Sequence, residues 1–293
     1  MVSRTIPVAS AGIGVALAPL GAAERGGFFK EKGLDVKRGV IPGAGNVVKA
    51  LDTGKILFGH FAAHAVIQAV LNGSDVVVLA GGFNQEFLVG APGVTKLDEL
   101  EGQPVGSGRP RDLHHFYIEF TFRELMKKPG KHVHLEGEDR YTDLMSGKIK
   151  ATTLSTPSAV KARQAGCKWL MDYSPYGLSF GFGGIMARRS LVKSDPDLVD
   201  AYLKAHVEGI RKYKADRDFG VAVHGDINEV PGSAAGETYE VASKGYPDFP
   251  DPNTRGLQRI IDFWKTEGYL DKGFSIEQVV DSGPIRRVCG KTS

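Results

Sequence analysis

Cysteine is nearly absent: the 293 residues contain two, Cys167 and Cys289. They lie far apart and in no metal-ligand spacing, so a cysteine-based metal centre is excluded, while a disulfide between them is neither required nor ruled out. No apolar run is long enough to span a bilayer, which argues against a membrane-spanning chain. No basic stretch is dense enough for a nucleic-acid footprint. Thirty-seven Lys and Arg face 34 Asp and Glu, and the net charge of +3 is mixed along the chain, so nucleic acid is not an expected partner. The opening "MVSRTIPVASAGIGVALAPLG" reads poorly as an export signal, because Pro7 and four further glycines or prolines interrupt it. No internal repeat and no low-complexity segment stands out.

What is present is a long alternation of strand and helix patterns. "TIPVAS", "DVKRGVIP", "ILFGHF" and "DVVVLAGGF" read as strands; "APLGAAERGGFFKEKGL", "GAGNVVKAL" and "AAHAVIQAVLNG" read as the helices between them. "DVVVLAGGF" is apolar throughout, as a strand covered on both faces should be. The pattern then restarts: "EFLVGAPG", "QPVGSG", "HVHLEG", "KATTLST" and "CKWLMDYS" are strands. "DLHHFYIEFTFRELMKK", "RYTDLMSGKI" and "PSAVKARQAG" are helices. "GFGGIMARRSLV" is a strand of the kind that passes back to the first module, and beyond Asp195 the chain is mostly helical, opened by an Asp-Pro cap. Glycine, at 38 residues, suits many tight turns. The expected fold class is α/β, with mainly parallel sheets in two lobes. Lobe 1 is expected over residues 1–87 plus 187–293 and lobe 2 over 88–186, with crossings near Glu86–Gly90 and Gly183–Arg188. Ligands bind beyond the carboxyl ends of such strands, so a cleft between lobes that closes over a guest is expected.

The order of these motifs resembles a known family. "APLGAAERGGFFKEKGLDVK", the loop "PGAGNVVKAL", "VTKLDELEGQPVGSG", "RRSLVKSDPDLVDAYLKAHVEGIRKYKAD" and "GLQRIIDFWKTEGYLDK" are similar, in sequence order, to motifs of substrate-binding proteins of ABC importers. The subfamily is the one that handles nitrate, taurine, sulfonates and thiamine-pyrimidine precursors. The resemblance implies a type II periplasmic-binding-protein fold, a small anionic ligand, an ABC permease as partner and a periplasmic location. It also admits enzymes on the same fold, such as aromatic-acid decarboxylases, which would be cytoplasmic. No cofactor is expected in either case.

Candidate site residues follow from position at strand ends. "GSGRPRDLHHF" links a strand to a helix, and amides at a helix start favour an anion. Ser107 lies at that strand end, and Arg109 or Arg111 is expected to grip a carboxylate or sulfonate, with Asp112 as N-cap. His114 and His115 point to different helix faces, so one is expected to reach the ligand. Ser10 and Gly12 after the first strand, Asn46 in the glycine loop, and His60, Phe61 and His64 around the third strand are further ligand contacts. So are Phe83 and Asn84, Ser155 and Thr156, and Phe180. His60, His64 and His114 are the acid–base candidates if the chain is an enzyme, since imidazole titrates near neutral pH. No metal is expected: His60 and His64 have i,i+4 spacing without a third ligand, and "HVH" at 132–134 has nothing nearby in sequence to complete a site.

Overall fold

The computed structural model describes residues 3–83, 85–137, 139–178, 180–228 and 232–291. The chain forms two units. The first comprises Met1–Asn84, Phe180–Ile261 and Lys272–Ser293, and the second Gln85–Ser179 with Asp262–Asp271. The short C-terminal segment of the second unit lies in a region that sequence reading assigned wholly to the first lobe.

The first sheet has the order β2-β1-β3-β10-β4, built from β1 (Arg4–Ser10), β2 (Leu34–Val40), β3 (Phe58–Phe61), β4 (Val76–Ala80) and β10 (Gly184–Arg188). β1 runs parallel to β2 and β3, whereas β10 is antiparallel to β3 and β4. The second sheet has the order β7-β6-β8-β5-β9, from β5 (Phe87–Gly90), β6 (Pro104–Ser107), β7 (Lys131–His134), β8 (Ala151–Leu154) and β9 (Lys168–Asp172). Here β6 is parallel to β7 and β8, and β5 is antiparallel to β8 and β9. Each unit therefore repeats one plan: second strand, first, third, an antiparallel strand next to the crossing, fourth. The mainly parallel sheets read from the sequence are mixed sheets.

Burial explains the strand choices. All five residues of β4 are buried, and burying one such aliphatic side chain contributes about 1.5–3 kcal/mol. Its outer edge is covered, since Val78 N–H donates to Val279 and Asp281 N–H to Val78. The opposite edge, β2, exposes Lys37 and Arg38, charges that discourage pairing with another chain. Helix Pro196–Ala215 packs on the first sheet, with Tyr202 stacked on Phe58 at 3.9 Å. Asp195 caps it, accepting from Leu198 N–H at 3.2 Å. Among the described residues no helix is long and apolar enough to cross a membrane.

Candidate functional site

In the first unit, β1 ends at Ser10, which is 1% exposed and whose Oγ has no hydrogen-bond partner among the described residues. Gly12 follows it on the surface. Asn46 is exposed and donates to the Pro42 carbonyl at 2.8 Å, so its amide latches the glycine turn. His60 departs from its expected role as a ligand contact. It is buried in the core, with Nδ1 3.1 Å from the Gly183 carbonyl and Nε2 2.8 Å from Tyr202 Oη. A carbonyl only accepts, so Nδ1 carries the proton and Nε2 accepts from the tyrosine. Burial lowers its pKa to about 4, so the ring is neutral and both nitrogens are used internally. His64 is half-buried at the N-cap of helix Ala65–Leu71, so the two i,i+4 histidines are split between core and helix start. Phe61, Phe83 and Phe180 are buried as core; Phe83 packs on Tyr246 with ring centres 5.3 Å apart. All three were expected as ligand contacts, and here they pack in the interior of the first unit. Asn84 lies outside the described residues.

In the second unit the two arginines expected to grip an anion have partners within the protein. Arg109 is exposed and paired with Glu136 at 3.0 Å. Arg111, in the left-handed region at φ 72°, lays its guanidinium 4.8 Å from the centre of the Tyr269 ring. Asp112 is the N-cap of helix Leu113–Phe120 as expected, accepting from His114 N–H at 2.7 Å. The histidine it positions is the centre of a buried polar group. His114 Nε2 lies 3.0 Å from Arg140 Nη2, and Nδ1 lies 2.7 Å from Thr153 Oγ1 and 3.5 Å from Glu86 Oε1. Arginine only donates, so Nε2 accepts and Nδ1 holds the proton. Arg140 Nε is buried and has no acceptor among the described residues. Glu86 is 1% exposed; desolvation pushes its carboxyl up to about 8, with Arg140 opposing and Asp112 adding to the rise. Near neutral pH the acid is therefore largely protonated. Buried Tyr117 is raised well above its ordinary value, by burial first and then by Glu86. Thr156, past the end of β8, is buried with its Oγ1 unpartnered among the described residues, and Ser155 beside it is half-buried.

The family model described as NMT1/THI5 like matches residues 15–218. The chain belongs to this NMT1/THI5-like family. No curated protein matches the chain in sequence. Solved structures share its fold at low identity. The periplasmic aliphatic sulphonate-binding protein of Escherichia coli aligns with TM-score 0.78 at 15% identity, over 94% of this chain and 97% of that one. The periplasmic nitrate-binding protein of Synechocystis PCC 6803 aligns with TM-score 0.75 at 14% identity, over 98% and 89%. The alkanesulfonate-binding protein of Xanthomonas axonopodis pv. citri, bound to MOPS, aligns with TM-score 0.73 at 12%, over 97% and 100%. The fold is thus that of periplasmic substrate-binding proteins of ABC importers.

Within this NMT1/THI5-like chain the expected residues fall into two groups: His114 with Glu86, Arg140 and Thr153, and Ser107 and His115 with Glu119, His132 and His134. Ser107 is fully buried, with Oγ 3.2 Å from His132 Nδ1 and 3.4 Å from His134 Nδ1. His115, Glu119 and His132 are the metal-ligand types whose donor atoms converge within 4.8 Å among the described residues. Burial and the neighbouring Arg123 and histidines hold the His115 pKa down against the pull of Glu119. The run Gly177–Gly181 has the letters of a GxSxG elbow. Its serine, Ser179, lies outside the described residues. Arg140 and Glu86 carried one sequence signal only, a charge beside a predicted strand or helix end.

Proposed function

We propose that this chain captures a small anionic organic molecule, a carboxylate or sulfonate, for delivery to an ABC permease, in the periplasm. The observation that carries the reading is Arg140. Its guanidinium is anchored on His114 Nε2 while its buried Nε–H has no acceptor among the described residues. A buried guanidinium N–H without a partner is costly, and an anionic oxygen is the acceptor that suits it best. In the same unit the buried hydroxyl of Thr156, just beyond the end of β8 and without a partner among the described residues, is a further donor of the kind such ligands take. Membership of the NMT1/THI5-like family and the shared fold with anion-binding proteins support the same reading.

A second reading, an enzyme acting on an organic acid, is favoured by Glu86. A buried carboxyl still largely protonated near neutral pH, in a polar cluster with His114, Thr153 and Arg140, is a candidate general acid. One experiment separates the two. The chain is screened by thermal shift against carboxylates and sulfonates, every hit is titrated by calorimetry, and the incubated ligand is analysed for product. Saturable binding with unchanged ligand, weakened about tenfold or more in Arg140→Gln, supports capture. Turnover that Glu86→Gln abolishes supports the enzyme, and unaltered binding in Arg140→Gln overturns the assigned anion contact.

A further inference from the structure

We propose that His115, Glu119 and His132 form a binding site for a divalent transition-metal ion of the zinc class. The site joins two parts of the chain that the sequence keeps separate. His115 and Glu119 stand one turn apart on helix Leu113–Phe120, so both project from one face. His132 and His134 alternate with Val133 on β7, so both face the same side of that edge strand. Folding lays the helix face against the strand face. His132 Nε2 then lies 2.8 Å from Glu119 Oε1, and His115 Nε2 lies 4.0 Å from the same oxygen. In a tetrahedral zinc site with bonds of about 2.0–2.1 Å, neighbouring donor atoms stand about 3.3 Å apart. The two separations bracket that spacing, so small side-chain shifts admit an ion.

The surroundings match those of a metal site more closely than those of an ordinary ion pair. An ion pair needs one imidazole for one carboxylate. Here two imidazoles face one carboxylate, His115 and His132, with ring centres 5.1 Å apart, and His134 stands beside them at 6.1 Å from His115 and 6.4 Å from His132. As cations these rings repel one another; as neutral rings His115 and His132 can turn their lone pairs to one volume beside Glu119. A cation there resolves both. The partners behind the donors are also in place. Ser107 Oγ sits 3.2 Å from His132 Nδ1, and the Gly108 carbonyl takes the Nδ1 proton of His134 at 2.8 Å. Arg123 holds Glu119 Oε2 and is itself paired with Glu267 at 2.7 Å, which leaves Oε1 to face the histidines. Such outer contacts fix the orientation and tautomer of metal ligands. Two imidazoles, one carboxylate and an open position form the donor set of many zinc sites. All three side chains are half-buried, so an ion can reach them. Binding displaces the proton shared between His132 and Glu119, and no other bond changes.

The test uses the full chain, free of any affinity tag and stripped with a chelator. Zinc is titrated by calorimetry, and cobalt(II) replaces zinc for visible absorption. The expected result is one ion per chain at micromolar zinc or tighter, with the cobalt bands of a low-coordinate nitrogen–oxygen site. His115→Ala and His132→Ala are each expected to weaken binding about tenfold or more, and His64→Ala to leave it unchanged. His115→Ala is the safer variant, because His115 Nδ1 has no hydrogen-bond partner among the described residues; circular dichroism verifies that it folds. Absence of stoichiometric zinc binding, or binding unaffected by His115→Ala, overturns the site.

Discussion

Glu86 is a carboxyl group placed where a carboxylate is penalised. Its unfolded pKa is that of an ordinary glutamate, and desolvation in the fold raises it to about 8. The folded state therefore holds the proton more tightly than the unfolded chain. This stabilisation is fully present below the unfolded pKa and is lost as pH rises through about 8. The loss amounts to on the order of 5 kcal/mol across that window. Glu86→Gln, which keeps the shape and removes the titration, is expected to flatten the decline between about pH 5 and 8. Urea unfolding at a series of pH values measures it, and an unchanged slope would show that Glu86 does not carry the effect. At this scale the sequence was partly legible. Asp112 as a cap follows from its place before an apolar helix. Arg109 and Arg111 drew attention because they sit in a strand-to-helix turn, yet Glu136 and the face of Tyr269 engage them. Arg140 and Glu86 were hidden because their meaning comes from His114, a partner remote in sequence from both.

At the scale of elements, helix Leu113–Phe120 is shared by two clusters. One face presents His114 to Glu86 and Arg140; another presents His115 and, one turn on, Glu119 to β7. The helix start is fixed by Asp112, whose carboxylate accepts the His114 N–H. Asp112→Ala is expected to cost about 1 kcal/mol of stability, and Asp112→Asn much less, since an amide oxygen also caps. Removing the Asp112 charge also removes one contribution that raises Glu86. The midpoint of the pH-dependent decline should then move down in both variants, a shift a pure capping effect would not produce. Chemical denaturation at pH 6 and pH 8 reads both effects, and equal losses at the two pH values would refute the link. Elements themselves were largely readable from the sequence, because period-two and helical apolar patterns report which face is buried. Strand direction was not. An apolar run such as "EFLVG" or "GIMAR" reads alike either way, so nothing marked β5 and β10 as antiparallel. Nor does a local pattern say that "HVH" will lie against helix Leu113–Phe120.

The whole molecule repeats one sheet plan twice, but the two units bury different titratable groups. The first unit buries three histidines. His60 is lowered to about 4 and His224 to about 4, both mainly by desolvation; His206 is lowered to about 3, by desolvation and then by His60, whose ring lies 5.9 Å away. Neither nitrogen of His206 has a hydrogen-bond partner among the described residues, so no acceptor awaits a second proton. Each imidazole binds a proton more readily unfolded, at about 6.5, than folded. Stability from these groups is present above pH 6.5 and is lost as pH falls through about 4, on the order of 3 kcal/mol for each well-buried ring. The second unit holds the opposite case in Glu86, with half-buried His115 a smaller acid-sensitive group. The units should therefore loosen at opposite ends of the pH range. Hydrogen exchange followed by mass spectrometry, corrected for intrinsic rates, is expected to show helix Pro196–Ala215 and β3 losing protection first near pH 5. Near pH 9, β8 and helix Leu113–Phe120 should lose it first. His206→Leu, which removes one imidazole without opening a cavity, should extend the acid range of the first unit alone. Loss of protection in the same order at both pH values would mean that burial of these groups does not set the acid and alkaline limits of the fold.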